Sequence, residues 1–507
     1  MHLALATRLE NLCAEGHREL ASEVAFHFEE GHDYESAIRN LLLAAENAAS
    51  RFAYRDSIQV LQNALRLASK IPSDVGVELE LQILELIGDA HYALGTMSDS
   101  AKAYEVESSR AAQMGLKSTQ VRALSCLVRP YGLIDPDRGL TAMAEAEQLS
   151  RALGDPLLLA RTQMLAAGIR LIYDTWRQKD AQLCASAHGT LVDLHDSATP
   201  PYHNMIYAHV QALQGNYHEA FEIFEAGMSK TGTTTSLIAY FFGLSGKTVA
   251  LLRLGRFGDL WQMLQAGKEM AEKNGSDPWL FNFREAWLRT LVFDFDGARR
   301  LCEFIMRPDA EYPTGQPKTI AAVAAGYAEL YCGHYDNAVE YFRRVRDPKI
   351  TPKFFLHWFW RMTAQLGLSN VWLSAGNLAS AGGEADSFLE SALSTADPHI
   401  QALAWEMKTR IAMAEDAWEV AADHLRKALA LAESFEVPVA AWQVHSTAWE
   451  LYRHLNDEVV AERNRGLAKM HILTIANSFT SDDPLRKSFL SAPLVRRVLD
   501  KAPTPLS

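Results

Sequence analysis

The sequence predicts an all-α solenoid of helical hairpins that repeat about every 40 residues along the 507-residue chain. Three observations predict it. A turn of the form Gly-x-aromatic-x-x-Ala recurs at a regular interval, apolar residues spaced three and four apart flank each turn, and no segment alternates as a half-buried strand would. One hairpin cannot bury its apolar stripe alone, so neighbouring hairpins have to stack.

The turn motif is clearest at Gly215, Gly255 and Gly333, each followed two positions later by an aromatic residue. Weaker copies near residues 95, 135, 175, 294, 376, 416 and 456 complete a series with spacings of 39 to 43 residues. Glycine ends a helix in the left-handed conformation, and the aromatic residue fills the corner between the paired helices. A small residue such as Ala220 then lets the second helix approach the first.

Three regions are predicted along the chain. Residues 1–72 contain two tighter repeats, with Tyr34 and Tyr54 at their corners, and form an N-terminal cap. Residues 73–477 form the solenoid, and residues 478–507 form C-terminal capping helices and a tail. Proline is favourable in the first turn of a helix and disrupts the helix interior, so prolines are expected where one hairpin ends and the next begins. Such breaks occur at Pro156, Pro200, Pro201, Pro278, Pro313, Pro317, Pro348 and Pro398.

Composition excludes several classes of function. The chain has 49 Lys plus Arg against 62 Asp plus Glu, a net charge of −13, which repels phosphate backbones and argues against direct nucleic-acid binding. No apolar run approaches the length of a membrane span, and no signal sequence is evident at the N-terminus. Five scattered cysteines indicate a reducing compartment, so we expect a cytoplasmic protein.

Small and aromatic residues in GDAHYALG (88–95) and QALQGNYHEAFEIFEAG (211–227) resemble the tetratricopeptide repeat. The period here is about 40 residues, whereas that repeat has 34. The resemblance implies a right-handed solenoid whose first helices line a concave face.

Both ends of the chain resemble large bacterial signalling ATPases and transcriptional regulators. Residues 19–72 are similar to the segment that follows the nucleotide-binding portion of those proteins, and residues 473–499 are similar to their closing segment. The resemblance implies a regulatory helical arm that binds a partner or senses a ligand. A nucleotide-binding domain would have to be encoded upstream.

The repeat register places aromatic and polar residues on the concave face. A groove lined this way would hold a peptide or a small apolar ligand by stacking and burial of area. Packing between helices and between hairpins is the stronger explanation of the same residues, and both interpretations stay open. The candidate groove residues are Tyr202, Met205, His209, Phe242, Arg253, Phe283, Trp287, Tyr327, Tyr331, Asn370, Glu406 and Arg410. The aromatic run from Phe354 to Trp360 follows them and is predicted to open a long helix.

Catalytic chemistry is not indicated. The Gly243 to Thr248 fragment resembles a phosphate loop but has Phe241 where that motif requires glycine, and the register places it inside a helix. Histidines lack metal-ligand spacing and are expected to be solvated or capping, while Cys184 and Cys302 fall at core positions. No cofactor and no metal are expected.

The predicted function is a non-catalytic scaffold or sensor in signalling or transcriptional regulation. It would bind a protein or peptide partner, or a small-molecule effector, on its concave face, and occupancy would change the superhelical pitch. Two alternatives remain. One is a detached regulatory arm of a signalling ATPase, and the other is an enzyme with a site in the aromatic stretch 279–360.

Overall fold

A computed structural model describes residues 1–72, 74–197, 199–231, 237–273, 277–312, 314–347 and 349–500, with side chains described outside 228–242. The described part of the chain is helical apart from turns, with no strand. A short 3-10 helix, Arg18–Leu20, accompanies the α-helices. These are α1 (His2–Ala14), α2 (Ala21–Glu30), α3 (Tyr34–Ser50), α4 (Tyr54–Ala68), α5 (Asp74–Leu94), α6 (Met97–Gln113), α7 (Lys117–Ile134), α8 (Pro136–Leu153), α9 (Pro156–Tyr173), α10 (Gln178–Asp193), α11 (Pro201–Leu213), α12 (Tyr217–Thr231), α13 (Leu237–Arg253), α14 (Phe257–Lys273), α15 (Trp279–Leu291), α16 (Phe295–Ile305), α17 (Gln316–Tyr331), α18 (Tyr335–Arg346), α19 (His357–Ser374), α20 (Leu378–Leu393), α21 (Pro398–Ala414), α22 (Trp418–Ser434), α23 (Pro438–His454), α24 (Glu458–Ala476), α25 (Pro484–Ser491) and α26 (Pro493–Leu499).

The helical-repeat fold class is confirmed. Every one of the ten predicted corners falls between two consecutive helices, from the α5–α6 corner near residue 95 to the α23–α24 corner near residue 456. The two tighter N-terminal corners separate α2 from α3 and α3 from α4. Consecutive helices pack against each other from α1 to α8 and from α14 to α26.

Backbone geometry explains the corners. Gly215 and Gly333 have φ angles of 90° and 80°, in the left-handed region that glycine enters without steric cost. Asp416 and Asn456 take the same conformation where glycine is missing, with φ of 57° and 58°. At the corner near residue 294 the left-handed residue is the bulky Phe293, and Asp294 begins the next helix as its N-cap.

Small residues and prolines act as the sequence predicts. Ala220, Ala338 and Ala421, at the small position of their second helices, are fully buried. Pro398 lies at the first position of α21, where its missing N–H leaves no helical bond unmade, and Asp397 caps that helix. Pro313 and Pro348 lie outside the described residues.

The chain divides into two compact units. Unit 1 comprises residues 1–169, 185–201 and 228–242, and unit 2 comprises residues 170–184, 202–227 and 243–507. This division differs from the three regions expected from sequence, which stay a prediction. Within unit 1, the stacked hairpins bury a continuous apolar core that runs from α1 to α6.

Within unit 2 the array returns on itself. The Gly215 corner lies against Pro398 and Phe435, which follow it by 183 and 220 residues. A Cβ built on Gly215 would lie 2.8 Å from the Pro398 ring. Gly258 donates its N–H to the Ser478 side chain at 2.9 Å. One apolar cluster joins Tyr217, Ala250 and Leu254 to residues of α21, α22 and α23. The early hairpins of unit 2 therefore close against its late hairpins.

The aromatic run before α19 is only partly helical, which corrects the expectation that it opens the helix. Helix α19 begins at His357, because Leu356 adopts a left-handed φ of 58°. The Leu356 N–H donates to the Ile172 carbonyl at 3.1 Å, and the Trp358 indole donates to the Leu171 carbonyl at 2.9 Å. These bonds to the end of α9 hold the backbone in that conformation.

Among the described helices, none combines the length and apolar character that a bilayer span requires.

Candidate functional site

The closure of unit 2 surrounds a cavity of about 790 Å³. Its wall is built mainly from the first helices of the successive hairpins, α13, α15, α17, α19, α21 and α23, with a contribution from α25 and α26. On α13 the lining residues Ser245, Thr248, Val249 and Leu252 follow the spacing of one helical face. Each first helix thus presents one stripe to the cavity.

Aromatic side chains form the centre of the wall. The Trp287 ring lies edge to face against the Trp360 ring, with the two centroids 5.4 Å apart. The Tyr327 ring is tilted relative to the Trp287 ring, and their centroids are 5.8 Å apart. The Tyr327 hydroxyl donates to the Thr363 carbonyl at 3.2 Å, which fixes the ring. Such a surface binds apolar and aromatic groups through area burial and ring geometry.

A polar cluster occupies the part of the wall near the C-terminal helices. Arg410 donates to the Asn370 side chain at 2.8 Å and lies 3.8 Å from a Glu406 oxygen. The Thr447 hydroxyl donates to that same carboxylate at 2.6 Å. Arg497 of α26 pairs with Glu450 of α23, and both side chains line the cavity.

A second polar cluster centres on Asp397, the N-cap of α21. Its carboxylate accepts from Arg253 Nη2 at 2.8 Å, from the Tyr217 hydroxyl at 3.3 Å and from the His399 backbone N–H at 3.0 Å. The pair is buried, with 8% and 1% of the Arg253 and Asp397 side chains exposed. Arg253 and His399 both line the cavity.

Burial sets the protonation of these groups. It lowers the pKa of His399 well below the usual range, and the nearby Arg253 charge lowers it further, so the imidazole is neutral at physiological pH. Burial also lowers the pKa of Arg284, which lines the cavity, to about 9. Neutral imidazole and desolvated guanidinium groups favour hydrogen bonding to a ligand.

Metal and nucleotide chemistry find no support in the described part of the chain. It holds no group of three or more His, Cys, Asp or Glu side chains that suits a metal ion. Residues 243–248 lie within α13, so the Gly-Lys-Thr segment forms no phosphate loop. Cys184 and Cys302 are buried as predicted, and burial raises the pKa of each thiol to about 12.

Histidines differ from the sequence expectation. His209, His357, His399 and His445 are buried, so the interpretation of histidines as solvated or capping is wrong for these four. Ring packing accounts for His209, which lies edge to face against Phe224 at 4.8 Å.

The chain is similar to several solved structures. The chain is similar to the Rap protein complexed with competence and sporulation factor, at 12% identity and a TM-score of 0.51, over 72% of this chain and 99% of that one. It is also similar to the APC/C hetero-tetramer Cut9-Hcn1, at 14% identity and a TM-score of 0.45, over 98% and 94%. NprR in complex with its cognate peptide NprX aligns at 12% identity and a TM-score of 0.42, over 67% and 97%.

At this identity the likeness to the Rap protein establishes the fold alone, a tetratricopeptide-like helical repeat. No protein-family model matches the chain, and no curated protein matches it.

Eight of the twelve candidate groove residues meet at the cavity: Arg253, Phe283, Trp287, Tyr327, Tyr331, Asn370, Glu406 and Arg410. Three others, Tyr202, Met205 and His209, lie on α11, which contributes only Leu213 to the wall. Phe242 falls in α13 where side chains are not described. Ligand binding by these residues stays a prediction.

Sequence reasoning missed several lining residues. Phe355, Phe359 and Trp360 belong to the aromatic run that was noted without being assigned to the groove, and His399 and Arg497 were not assigned to it either. The repeat register within one hairpin cannot predict the contact between Arg253 and Asp397, because 144 residues separate them in the sequence. Only the curvature of unit 2 makes them neighbours.

Proposed function

We propose that unit 2 is a non-catalytic ligand-binding module that holds a small ligand or a short peptide in its cavity. The observation that carries the proposal is an aromatic cavity of about 790 Å³ that eight of the twelve groove residues predicted from the sequence line together. Cavities of 300–1,000 Å³ with apolar walls and a few convergent polar groups are typical of small-ligand sites.

Closure favours a compact ligand over a long protein segment. The early and late hairpins of unit 2 meet through the buried Arg253–Asp397 pair, so the concave surface is a chamber with walls on opposite sides. In a solved structure with the same type of fold, the Rap protein is complexed with competence and sporulation factor. A fold of this kind therefore accommodates a bound factor.

A sensing role in a bacterial cytoplasm belongs to the same proposal. The five cysteines are free, as a reducing compartment requires, and the ends of the chain resemble regulatory arms of signalling ATPases. A bound ligand would then change the affinity of the module for a protein partner. The net charge of −13 disfavours nucleic acid as that partner.

The test uses N-phenyl-1-naphthylamine, an uncharged aromatic probe that fluoresces in apolar surroundings. We expect saturable binding to the wild-type protein and at least about tenfold weaker binding to Ser446→Trp, because Ser446 lines the cavity and an indole there fills it. Ser446→Ala is the matched control and should bind as the wild type does.

Circular dichroism establishes that both variants are folded. Equal probe binding by Ser446→Trp and Ser446→Ala, with both folded, would contradict the proposal. Turnover of any candidate compound that is lost in Ser446→Trp would instead favour the enzyme alternative.

A further inference from the structure

One end of the cavity in unit 2 is covered by the repeat array itself. The Gly215 corner lies against Pro398 at the start of α21, and the Gly255 corner lies against Pro438 at the start of α23, where an added Cβ would be 3.2 Å from the proline ring. The cavity-lining residues at the starts of α17, α21 and α23 are all buried: Gln316, His399 and Val439. The early hairpins therefore close this end.

The opposite end of the cavity is open to solvent. Six of the described lining residues are exposed, and all six lie where α17 and α19 end or where α26 begins: Tyr331, Cys332, Gly333, Ser374, Pro493 and Leu494. The exposed fractions of Tyr331 and Leu494 are 45% and 39%. We call this end the opening, and its sides are the α17–α18 corner, the α19–α20 corner and α26. A ligand bound for the aromatic wall would pass between them.

The α26 side of the opening is built differently from the two corners. Each corner belongs to a hairpin packed between neighbouring hairpins, whereas α25 and α26 have only eight and seven residues and pack mainly against α24 and each other. Arg465 of α24 anchors them by donating to the Val498 and Asp500 carbonyls, each at 3.0 Å. Short helices at the end of an array open at a lower free-energy cost than its interior.

Two side-chain contacts connect α25 and α26 to the first helices and their corners. The Phe489 ring of α25 stacks on the Phe293 ring at the α15–α16 corner, with centroids 6.2 Å apart and an interplanar angle of 18°. Arg497 of α26 pairs with Glu450 of α23, and these side chains are 16% and 31% exposed. All four side chains line the cavity. Breaking both contacts would free α25 and α26 from the opening and leave their anchor on α24 in place.

We propose that α25 and α26 form a lid that controls access to the cavity. The lid pivots on α24 and leaves the opening when the Phe489–Phe293 and Arg497–Glu450 contacts break. The inference rests on the proposed function and specifies how that site is regulated. The ligand then binds at a rate set by the fraction of molecules with an open lid.

Stopped-flow fluorescence with N-phenyl-1-naphthylamine measures both rate constants. Glu450→Gln removes the charge that holds Arg497 and should raise the association rate constant about threefold, as expected for loss of a partly exposed ion pair. The dissociation rate constant should rise too. Loss of an ordinary wall contact would raise the dissociation rate constant alone, so the association rate constant decides between the two roles.

Asp386→Asn is the matched control. It breaks another ion pair between helices, in which Lys408 of α21 lies 2.6 Å from Asp386 of α20, and neither residue lines the cavity. Both rate constants should keep their wild-type values in this variant.

Phe489→Leu is the second lid variant. Leucine keeps an apolar side chain at a buried position and removes the ring that stacks on Phe293, so association should again accelerate. Circular dichroism establishes that each variant is folded.

Salt gives an independent readout because the probe is uncharged. Sodium chloride screens the partly exposed Arg497–Glu450 pair, so it should accelerate association with the wild-type protein. Association with Glu450→Gln should not respond to salt.

Cys332 tests the opening itself, because it is exposed there while Cys13, Cys184 and Cys302 are buried. Modification with a maleimide-linked polyethylene glycol should slow association with the wild-type protein about tenfold. The same treatment of Cys332→Ser should make no difference to its rate.

The outcomes separate the lid from the proposed function. Faster association in Glu450→Gln or Phe489→Leu supports the lid. Wild-type association rates in both variants, or a rise confined to dissociation, overturn it, as does unhindered association after modification of Cys332. Failure of the probe to bind the wild-type protein overturns the proposed function instead.

Discussion

At the scale of single residues, unit 1 contains a buried carboxyl group, that of Glu107, without hydrogen-bond partners among the described residues. The Glu107 side chain is fully buried, neither oxygen has a hydrogen-bond partner in the described part of the chain, and the nearest cation, Arg122, lies 4.0 Å away. Burial and the neighbouring Glu85 raise the pKa of Glu107 to about 8, against the weaker opposing effect of Arg122. The folded protein therefore keeps a proton that the unfolded chain releases.

Replacing this group should stabilise the protein in a definite pH window. Because the folded pKa of Glu107 is raised, the free energy of unfolding falls as pH rises from about 4.5 to about 8. Glu107→Gln removes that fall, so its stability relative to the wild type should rise between pH 5 and pH 8 by up to about 4 kcal/mol. Urea unfolding at pH 5 and pH 8 measures it, and a difference independent of pH would contradict the account.

His209 gives the opposite pH dependence. Burial lowers its pKa to about 4, with a smaller contribution from Arg284, so the unfolded chain takes up a proton that the folded protein excludes. Stability from this group is present above pH 6.5 and is lost as pH falls towards 4.

His209→Phe should reduce the loss of stability between pH 6.5 and pH 4, since a phenyl ring still packs against Phe224 and Phe355. Thermal unfolding across that range measures the slope. The exposed His17→Gln is the control for a histidine substitution, and an unchanged slope in His209→Phe would count against the assignment.

At this scale, the sequence predicts the burial of a residue when that burial is decided by neighbours within the same hairpin. Core positions such as Cys184 and Cys302 follow from the repeat register, because their burial is decided within one hairpin. The role of Arg253 depends on a contact between distant hairpins, and nothing in the local pattern around it indicates that contact.

At the scale of helices, close packing depends on glycines at the positions where two helices are in contact. The fully buried Phe342 ring of α18 lies against Gly326 of α17, where a Cβ would sit 2.7 Å from the ring. Gly367 of α19 faces the same ring. The three helices approach each other only because both contact positions lack a side chain.

Gly326→Ala should therefore destabilise the protein by about 1–3 kcal/mol through overpacking. The matched control is Gly466→Ala on α24, where no heavy atom lies within 4 Å of an added Cβ. That change should stabilise by about 0.5–1 kcal/mol, because alanine favours the helix. Denaturant unfolding of both variants measures the difference, and equal effects would refute this packing argument.

The order and corners of the helices could be read from the sequence, because turn chemistry and apolar spacing are local. The start of α19 could not, since Leu356 takes its left-handed conformation while its N–H bonds a carbonyl of α9, 184 residues earlier.

At the scale of the whole molecule, the property that matters for function is closure within unit 2. The sequence predicts a concave face and a superhelical pitch that changes when a ligand binds there. Closure limits such a change, because opening the array would separate the buried Arg253–Asp397 pair. The repeat period predicts that hairpins stack, but the angle between hairpins decides where the array meets itself, and side-chain packing sets that angle.

A double-mutant cycle measures this closure. Arg253→Met leaves Asp397 buried without its cation and should cost about 3–5 kcal/mol, whereas adding Asp397→Asn should recover most of the loss. Asparagine still caps α21. Additive effects of the two changes, with no recovery in the double variant, would mean that the two hairpins do not meet through this pair.

The most direct test of the account locates a probe in a crystal. Crystals soaked with 1-bromonaphthalene should show an anomalous bromine peak inside the cavity of unit 2, against the rings of Trp287 and Trp360. Bromine peaks found only elsewhere on the protein, with that cavity empty at saturating probe, would contradict it.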